Sequence, residues 1–324
     1  MIAGPARFQH LLGIEPLSRE DILLLLENSQ RFVEVSQRDL KKVPALRGKT
    51  IINLFLEPST RTRASFEIAG KRLSADTINI TASGSSVTKG ETLLDTARTL
   101  QAMNPDILVV RHRSSGAAQF LSERLTKTAV VNAGDGMHEH PTQALLDSLT
   151  LCQHFGVSAS EFNGKNICIV GDVRHSRVAR SNIWAHHLLG NRITLVGPST
   201  LVPREFSDQG AFPGEIRIAH SLREGLESAD VVMVLRMQLE RQSDNFIPSL
   251  EEYTRQYCIT EEALRVASPD CVILHPGPAN RGIEISSAVY EGSRSLVEKQ
   301  VNNGVAVRMA TLFLLGTRSR KESL

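Results

Sequence analysis

Residues 57 to 65 of the chain read Glu-Pro-Ser-Thr-Arg-Thr-Arg-Ala-Ser, and positions 59–63 of it gather three hydroxyls (Ser59, Thr60, Thr62) and two guanidiniums (Arg61, Arg63) into one short turn. An apolar, strand-like run precedes it at residues 50–56, and Phe66, Ile68, Ala69 and Leu73 follow with helical spacing. A strand that passes through such a turn into a helix leaves free backbone N–H groups at the positive end of the helix dipole, where a phosphate binds. Serine or threonine alone would serve as an ordinary helix cap. Two arginines in a first helical turn oppose the dipole, and a bound anion is the simplest compensation for them.

Other chemically loaded segments also follow strand-like runs. They are Arg111-His-Arg113, the stretch from Asp135 through His138, Glu139 and His140 to Gln143, the turn from Asp172 to Arg177, Arg236-Met-Gln238, and His275-Pro-Gly-Pro278. Ligands of parallel α/β sheets collect at the carboxyl ends of the strands. Several arginines, a histidine and a glutamine at such positions predict a cleft between two domains for a ligand with several negative charges.

The elements that must position these residues alternate. Ser18 and Asp21 form a capping-box-like start for a helix to about residue 32. Strands are expected at 50–56, 77–81, 107–110 and 129–132, with helices between them and a polar loop at 83–90. A long helix runs from Pro141 to about Phe155, with proline in its first turn and Gly156 at its end. A second series of strands follows at 166–170, 192–196, 216–218, 231–235 and 271–274. Two successive βα series predict an α/β protein with two parallel-sheet domains. Their expected extents are residues 1–150 and 151–295, and a last helix at about 296–324 packs back on the first domain.

The composition fits a soluble globular protein: 324 residues, 41% hydrophobic, 22% charged, net charge +2. That balance gives no general reason to expect nucleic acid or membrane as a partner. Cys152, Cys168, Cys258 and Cys271 form no CxxC pair and read as reduced thiols. Residues 1–7 lack the apolar stretch of a secretion signal, so the cytoplasm is the expected location. The turn after Val170 lacks the G-x-G-x-x-G spacing of a dinucleotide site. His186, His187 and the basic run from Arg318 read as surface features.

Residues 55–66, Phe-Leu-Glu-Pro-Ser-Thr-Arg-Thr-Arg-Ala-Ser-Phe, resemble the carbamoyl-phosphate signature of the aspartate/ornithine carbamoyltransferase family. The resemblance extends from His10-Leu-Leu-Gly13 to the helix around residues 305–309. Glu57-Pro58, the loop at 85–91, Arg236-Met-Gln238 and His275-Pro-Gly-Pro-Ala-Asn-Arg281 are similar to the aspartate branch, and the ornithine branch carries a cysteine near the last of these. The resemblance implies transfer of the carbamoyl group of carbamoyl phosphate to L-aspartate, an early step of pyrimidine synthesis, with neither cofactor nor metal. It implies that Ser59, Thr60, Arg61 and Thr62 hold the phosphate and that Arg61 also stabilises the leaving group. Thr62, Arg111 and His140 would face the carbamoyl oxygen. Gln143 would take the carbamoyl NH2, helped by the turn of Pro276, Gly277 and Pro278. Arg177 and Arg236 would clamp the aspartate carboxylates with Gln238 in support, and Ser85 and Lys89 would come from a neighbouring subunit of a homotrimer.

Each role has a plainer competitor. His138 and His140 could be read as a metal pair, but the family's histidine directly precedes Pro-Thr-Gln, which selects His140. Arg111 is preferred to Arg113, and Arg177 to Arg174, on motif spacing. Gly277 stands where some relatives carry leucine, and Thr88 where some carry a second lysine. The alternatives are a relative that acts on ornithine or a modified ornithine, and a silent scaffold homologue. Relatives work as free trimers, with regulatory chains or with dihydroorotase, and the sequence leaves that choice open.

Overall fold

Runs of Ile, Val and Leu with few polar interruptions form strands buried on both faces, which is the demand a parallel sheet makes. The computed structural model describes residues 6–82, 90–208, 212–238 and 246–318. The chain divides into two units, Met1–Leu149 with Asn302–Leu324, and Thr150–Val301.

In the first unit β1 (Thr50–Phe55), β2 (Asp76–Thr81), β3 (Ile107–His112) and β4 (Ala129–Asp135) lie in the order β2-β1-β3-β4, all parallel. β1, β3 and β4 are buried almost throughout, whereas β2 at the edge is mostly exposed or half-buried. Helix α1 (Arg19–Gln37) starts at the expected capping box, with Ser18 and Asp21 each accepting from the other's backbone N–H. α2 (Thr60–Arg72), α3 (Leu93–Ala102) and α4 (Ala117–Ser122) connect the strands. Ile52, Leu54, Leu108, Val110 and Val130 pack with Ala97 and Leu100 of α3 and Ala118 and Leu121 of α4. Each aliphatic side chain so buried contributes roughly 1.5–3 kcal/mol before entropy is charged against it.

The second unit begins as α5 (Pro141–Phe155) ends. Its strands β5 (Asn166–Val170), β6 (Arg192–Val196), β7 (Ile216–Ala219), β8 (Val231–Val234) and β9 (Val272–Leu274) run parallel in the order β7-β6-β5-β8-β9. α6 (Arg177–Leu189), α7 (Leu222–Leu226), α8 (Leu250–Tyr257) and α9 (Ser287–Glu291) accompany them. The last helix, α10 (Val297–Gly316), packs on the first unit: Phe313 meets Phe32 of α1 at 5.7 Å, and a Cβ on Gly316 would lie 2.7 Å from Leu46 Cδ2.

Two local readings change, and the thiols are as read. β3 runs on through Arg111 and His112, and β4 through Asp135, so Arg111 stands inside a strand rather than after one. His186 is fully buried in α6 instead of lying on the surface, and burial pushes its pKa down to about 3. Cys152, Cys168 and Cys271 are buried and Cys258 half-buried, all unpaired by disulfides. Burial raises the thiols of Cys152 and Cys271 to about 12 and shifts Cys168 in the same direction.

Candidate active site

In each sheet the chain leaves its first strand toward one edge and later crosses to that strand's other side. The carboxyl ends of β1 and β3, and of β5 and β8, therefore flank a topological switch point, where α/β sheets open a crevice for ligands.

At the first of these points Ser59 is the N-cap residue of α2, yet its side chain makes no capping hydrogen bond. No acidic residue stands in the first turn of α2. The turn thus offers an anion the dipole, the Ser59 hydroxyl, the exposed Thr60 and Arg61 and the buried Thr62, while its one carboxylate, Glu57, is taken up by Arg111.

Arg111 is aimed by the sheet itself. The register between β3 and β4 shifts where Val110 faces Asn132 and His112 faces Asp135, so Ala133 and Gly134 together oppose Arg111. Gly134 takes φ +114, and its N–H donates to Asn132 Oδ1 at 2.8 Å. A bulge of this kind re-aims a side chain at the end of a ladder. The buried guanidinium donates from Nη1 to the Ala133 carbonyl at 3.1 Å and from Nη2 to Glu57 Oε1 at 2.7 Å. Glu57 lies in the anion turn, so this ion pair ties the exits of β1 and β3 together. Arg113 is exposed.

A buried polar frame holds the segment after β4. Asn132 Nδ2 donates to Asp135 Oδ1 at 2.7 Å and to the Leu12 carbonyl at 2.8 Å. Asp135 accepts the N–H of Gly116 at 2.7 Å and of Glu139 at 3.2 Å. Glu139 in turn accepts the N–H of Ile14 at 2.8 Å and of Glu15 at 3.1 Å. Gly13 leaves the space for that carboxylate, since a Cβ there would stand 2.1 Å from Glu139 Oε1. His140 follows this frame, buried, and its carbonyl receives the N–H of Gln143 at 2.9 Å at the start of α5. Gln143 Nε2 donates to Asp147 Oδ1 at 2.9 Å, one turn further along. His138 Nδ1 lies 3.2 Å from Asp135 Oδ2, a hydrogen bond that raises its pKa against the effect of burial. Among the described residues Glu15, His138 and Glu139 bring potential metal-ligand atoms within 4.8 Å, so His138 is grouped with these carboxylates and not with His140.

The second unit arranges its residues about β5 and β8. Arg177 opens α6 and is buried, next to the cap Ser176, whose hydroxyl accepts the Ala179 N–H at 3.1 Å. Before it, the fully buried Asp172 accepts the His175 N–H at 3.2 Å and faces His175 Nδ1 at 2.8 Å. Arg174, the competitor of Arg177, is exposed. Beyond β8, Met237 is buried among Leu201, Tyr253 and Tyr257, which leaves Arg236 and Gln238 half-buried on either side of this anchor. Pro276, Gly277 and Pro278 follow β9, and Gly277 takes φ +61, a conformation that favours glycine. The Gly277 N–H donates to His275 Nδ1 at 2.8 Å, so Nε2 carries the proton and faces Glu284 Oε1 at 3.3 Å. Ser85 and Lys89 lie outside the described residues.

Sequence reasoning did not assign Glu57, Asp135, Asp147, Asp172 or Glu284 a place beside the proposed ligand-binding groups. The spacing of Gln143 and Asp147 could have pointed to the pair, because i and i+4 share a helix face. Nothing local links Glu57 to Arg111.

Two parallel-sheet α/β units, each with cationic and hydroxyl groups at its switch point, describe a two-domain group transferase, and sequence comparison specifies which. Residues 9–153 match the carbamoyl-P binding domain and residues 163–315 the Asp/Orn binding domain of aspartate/ornithine carbamoyltransferases, so the chain belongs to that family. It is 53% identical over 305 residues to the aspartate carbamoyltransferase catalytic subunit of Syntrophus aciditrophicus, covering 94% of this chain and 96% of the relative. Ornithine carbamoyltransferase from Pyrococcus furiosus superposes with a TM-score of 0.84 at 27% identity, covering 98% and 100% of the two chains. Aspartate transcarbamoylase from Trypanosoma cruzi in complex with carbamoyl phosphate and aspartate superposes with a TM-score of 0.81 at 29% identity, covering 97% and 99%. The backbone is thus shared by both branches, and the acceptor has to be argued from side chains and from the closer sequence relatives.

Proposed function

We propose that this chain is a cytoplasmic enzyme that transfers the carbamoyl group of carbamoyl phosphate to L-aspartate. The reading rests above all on Arg177 and Arg236, which stand at the exits of the paired strands β5 and β8. Two guanidiniums suit a dicarboxylate, whereas a cationic ornithine side chain would call for a carboxylate there. The strong identity to relatives named for aspartate supports the same acceptor.

In this reaction the α-amino nitrogen attacks the carbonyl carbon, a C–N bond forms, and the carbonyl oxygen becomes an oxyanion. The C–O bond to phosphate then breaks, phosphate departs with its electron pair, and the amine loses a proton. Ser59, Thr60, Arg61 and Thr62 bind the phosphate, and Arg61 supports the charge that grows on it. Thr62, Arg111 and His140 donate to the oxyanion, while Gln143 and the Pro276–Pro278 turn orient the carbamoyl nitrogen. Arg177, Arg236 and Gln238 hold aspartate. Catalysis here is positioning and charge stabilisation, each able to supply several kcal/mol. A colorimetric assay of the purified chain should yield carbamoyl-aspartate and no carbamoyl-ornithine; product from ornithine alone would reverse the choice of acceptor.

The working unit in this reading is a homotrimer in which Ser85 and Lys89 serve a neighbour's site. If so, mixing inactive Lys89→Ala chains with inactive Arg61→Ala chains restores activity, because one site in the hybrid receives both intact groups. Absence of recovery after verified subunit exchange would mean that each chain works with its own residues.

A further inference from the structure

The loops that carry Arg177 and Arg236 are joined through a residue with no assigned role, Phe246. The ring of His175, two positions before Arg177, makes an edge-type contact with the Phe246 ring at 4.9 Å and an interplanar angle of 63°. The Arg174 guanidinium lies over the same ring at 5.1 Å from its centre. Thr200 Oγ1 donates to the Phe246 carbonyl at 2.5 Å, which fixes the backbone as well as the ring. Phe246 also packs against the cluster of Leu201, Met237, Tyr253 and Tyr257. Met237 is fully buried there between Arg236 and Gln238. Phe246 therefore touches the α6 entry turn and packs against the cluster that anchors the Arg236 loop. The turn itself is rigid, since Asp172 fixes His175 through both its backbone N–H and its ring.

The geometry points to Phe246 as a positioning residue that sets the separation of the two arginines and so the acceptor's fit. Its aromatic ring is the part that matters, because the imidazole of His175 and the cation of Arg174 both pack against it. This inference rests on the proposed reading of Arg177 and Arg236 as a dicarboxylate clamp.

The test compares Phe246→Leu, which keeps apolar bulk in the cluster, with Phe246→Tyr, which keeps the ring. Aspartate KM and kcat are measured at saturating carbamoyl phosphate, and inorganic phosphate binding is titrated separately. Phe246→Leu should raise KM for aspartate about ten-fold with kcat reduced far less, while phosphate affinity stays unchanged. Phe246→Tyr should behave as the parent chain. Equal KM values in parent and Leu variant, or a phosphate affinity that falls in step with the aspartate effect, would overturn the inference. Failure of the parent chain to use aspartate would instead remove the dicarboxylate clamp, and the positioning role with it.

Discussion

Arg111, the proposed oxyanion donor, is held in place by groups of the protein itself. The Ala133 carbonyl fixes one Nη and the Glu57 carboxylate the other, with both side chains largely withdrawn from water. A guanidinium so placed has little freedom left to lose when it meets a developing oxyanion. Arg61, by contrast with the buried Arg111, is exposed on the first turn of α2. Its removal should therefore leave the fold intact and cost turnover: Arg61→Ala is expected to lower kcat by roughly 10²–10³ with an unchanged circular dichroism spectrum. Near-normal kcat would remove the leaving-group role assigned to it. Arg61, His140 and Gln143 could be named as candidates because their types and spacing form recognisable motifs. Glu57 was visible as a residue but not as a partner, because its meeting with Arg111 depends on β1 and β3 being neighbours with Phe55 opposite Arg111.

At the level of elements, strand existence was readable from apolar runs, and ends were not. The expected strand at 107–110 stops where the apolar letters stop, yet hydrogen bonding carries β3 through Arg111 and His112. A polar residue inside a strand end has no hydrophobic signature, and the bulge opposite it depends on pairing with β4. α10 carries another hidden feature. Arg308 is buried, with Nη1 donating to the Gly304 carbonyl at 2.9 Å and its guanidinium 5.2 Å from the ring centre of Phe66 in α2. Burial pushes its pKa down to about 10, and the charge of Asp147 opposes that shift. Because Asp147 also receives Gln143, α10 supports α2 and α5 together. Arg308→Leu, which removes the Gly304 hydrogen bond and the Phe66 contact, should cost about 1–2 kcal/mol in denaturant unfolding, and a loss within experimental error would show that these contacts do not hold α10.

Across the molecule, acid stability has a specific contributor. His186 titrates near 6.5 when unfolded and at about 3 when folded, because burial penalises its charged form. The unfolded chain binds the extra proton between those values. The stability due to a neutral His186 is therefore complete above 6.5 and drains away as pH falls toward 3, by on the order of 1.4 kcal/mol per pH unit. In His186→Phe this contribution vanishes, so stability measured between pH 6 and 4 should fall less steeply than in the parent. An identical slope would indicate that the side chain is hydrated or already charged in the folded state. Sequence alone missed this burial because His186 and His187 look alike as letters. Only the packing of α6, with Phe162 6.2 Å from the His186 ring, separates them. The parallel-sheet plan, by contrast, was legible, since central strands buried on both faces must be largely apolar.

The four cysteines give this architecture a use beyond its chemistry. Thiolate, not thiol, reacts with alkylating reagents. Cys152, Cys168 and Cys271 are hidden and held protonated, while Cys258 is only half-buried. A thiol reagent at neutral pH therefore encounters Cys258 first. Modification of the other three then serves as a built-in clock for unfolding, Cys168 and Cys271 reporting the opening of the β5 to β9 sheet and Cys152 that of α5.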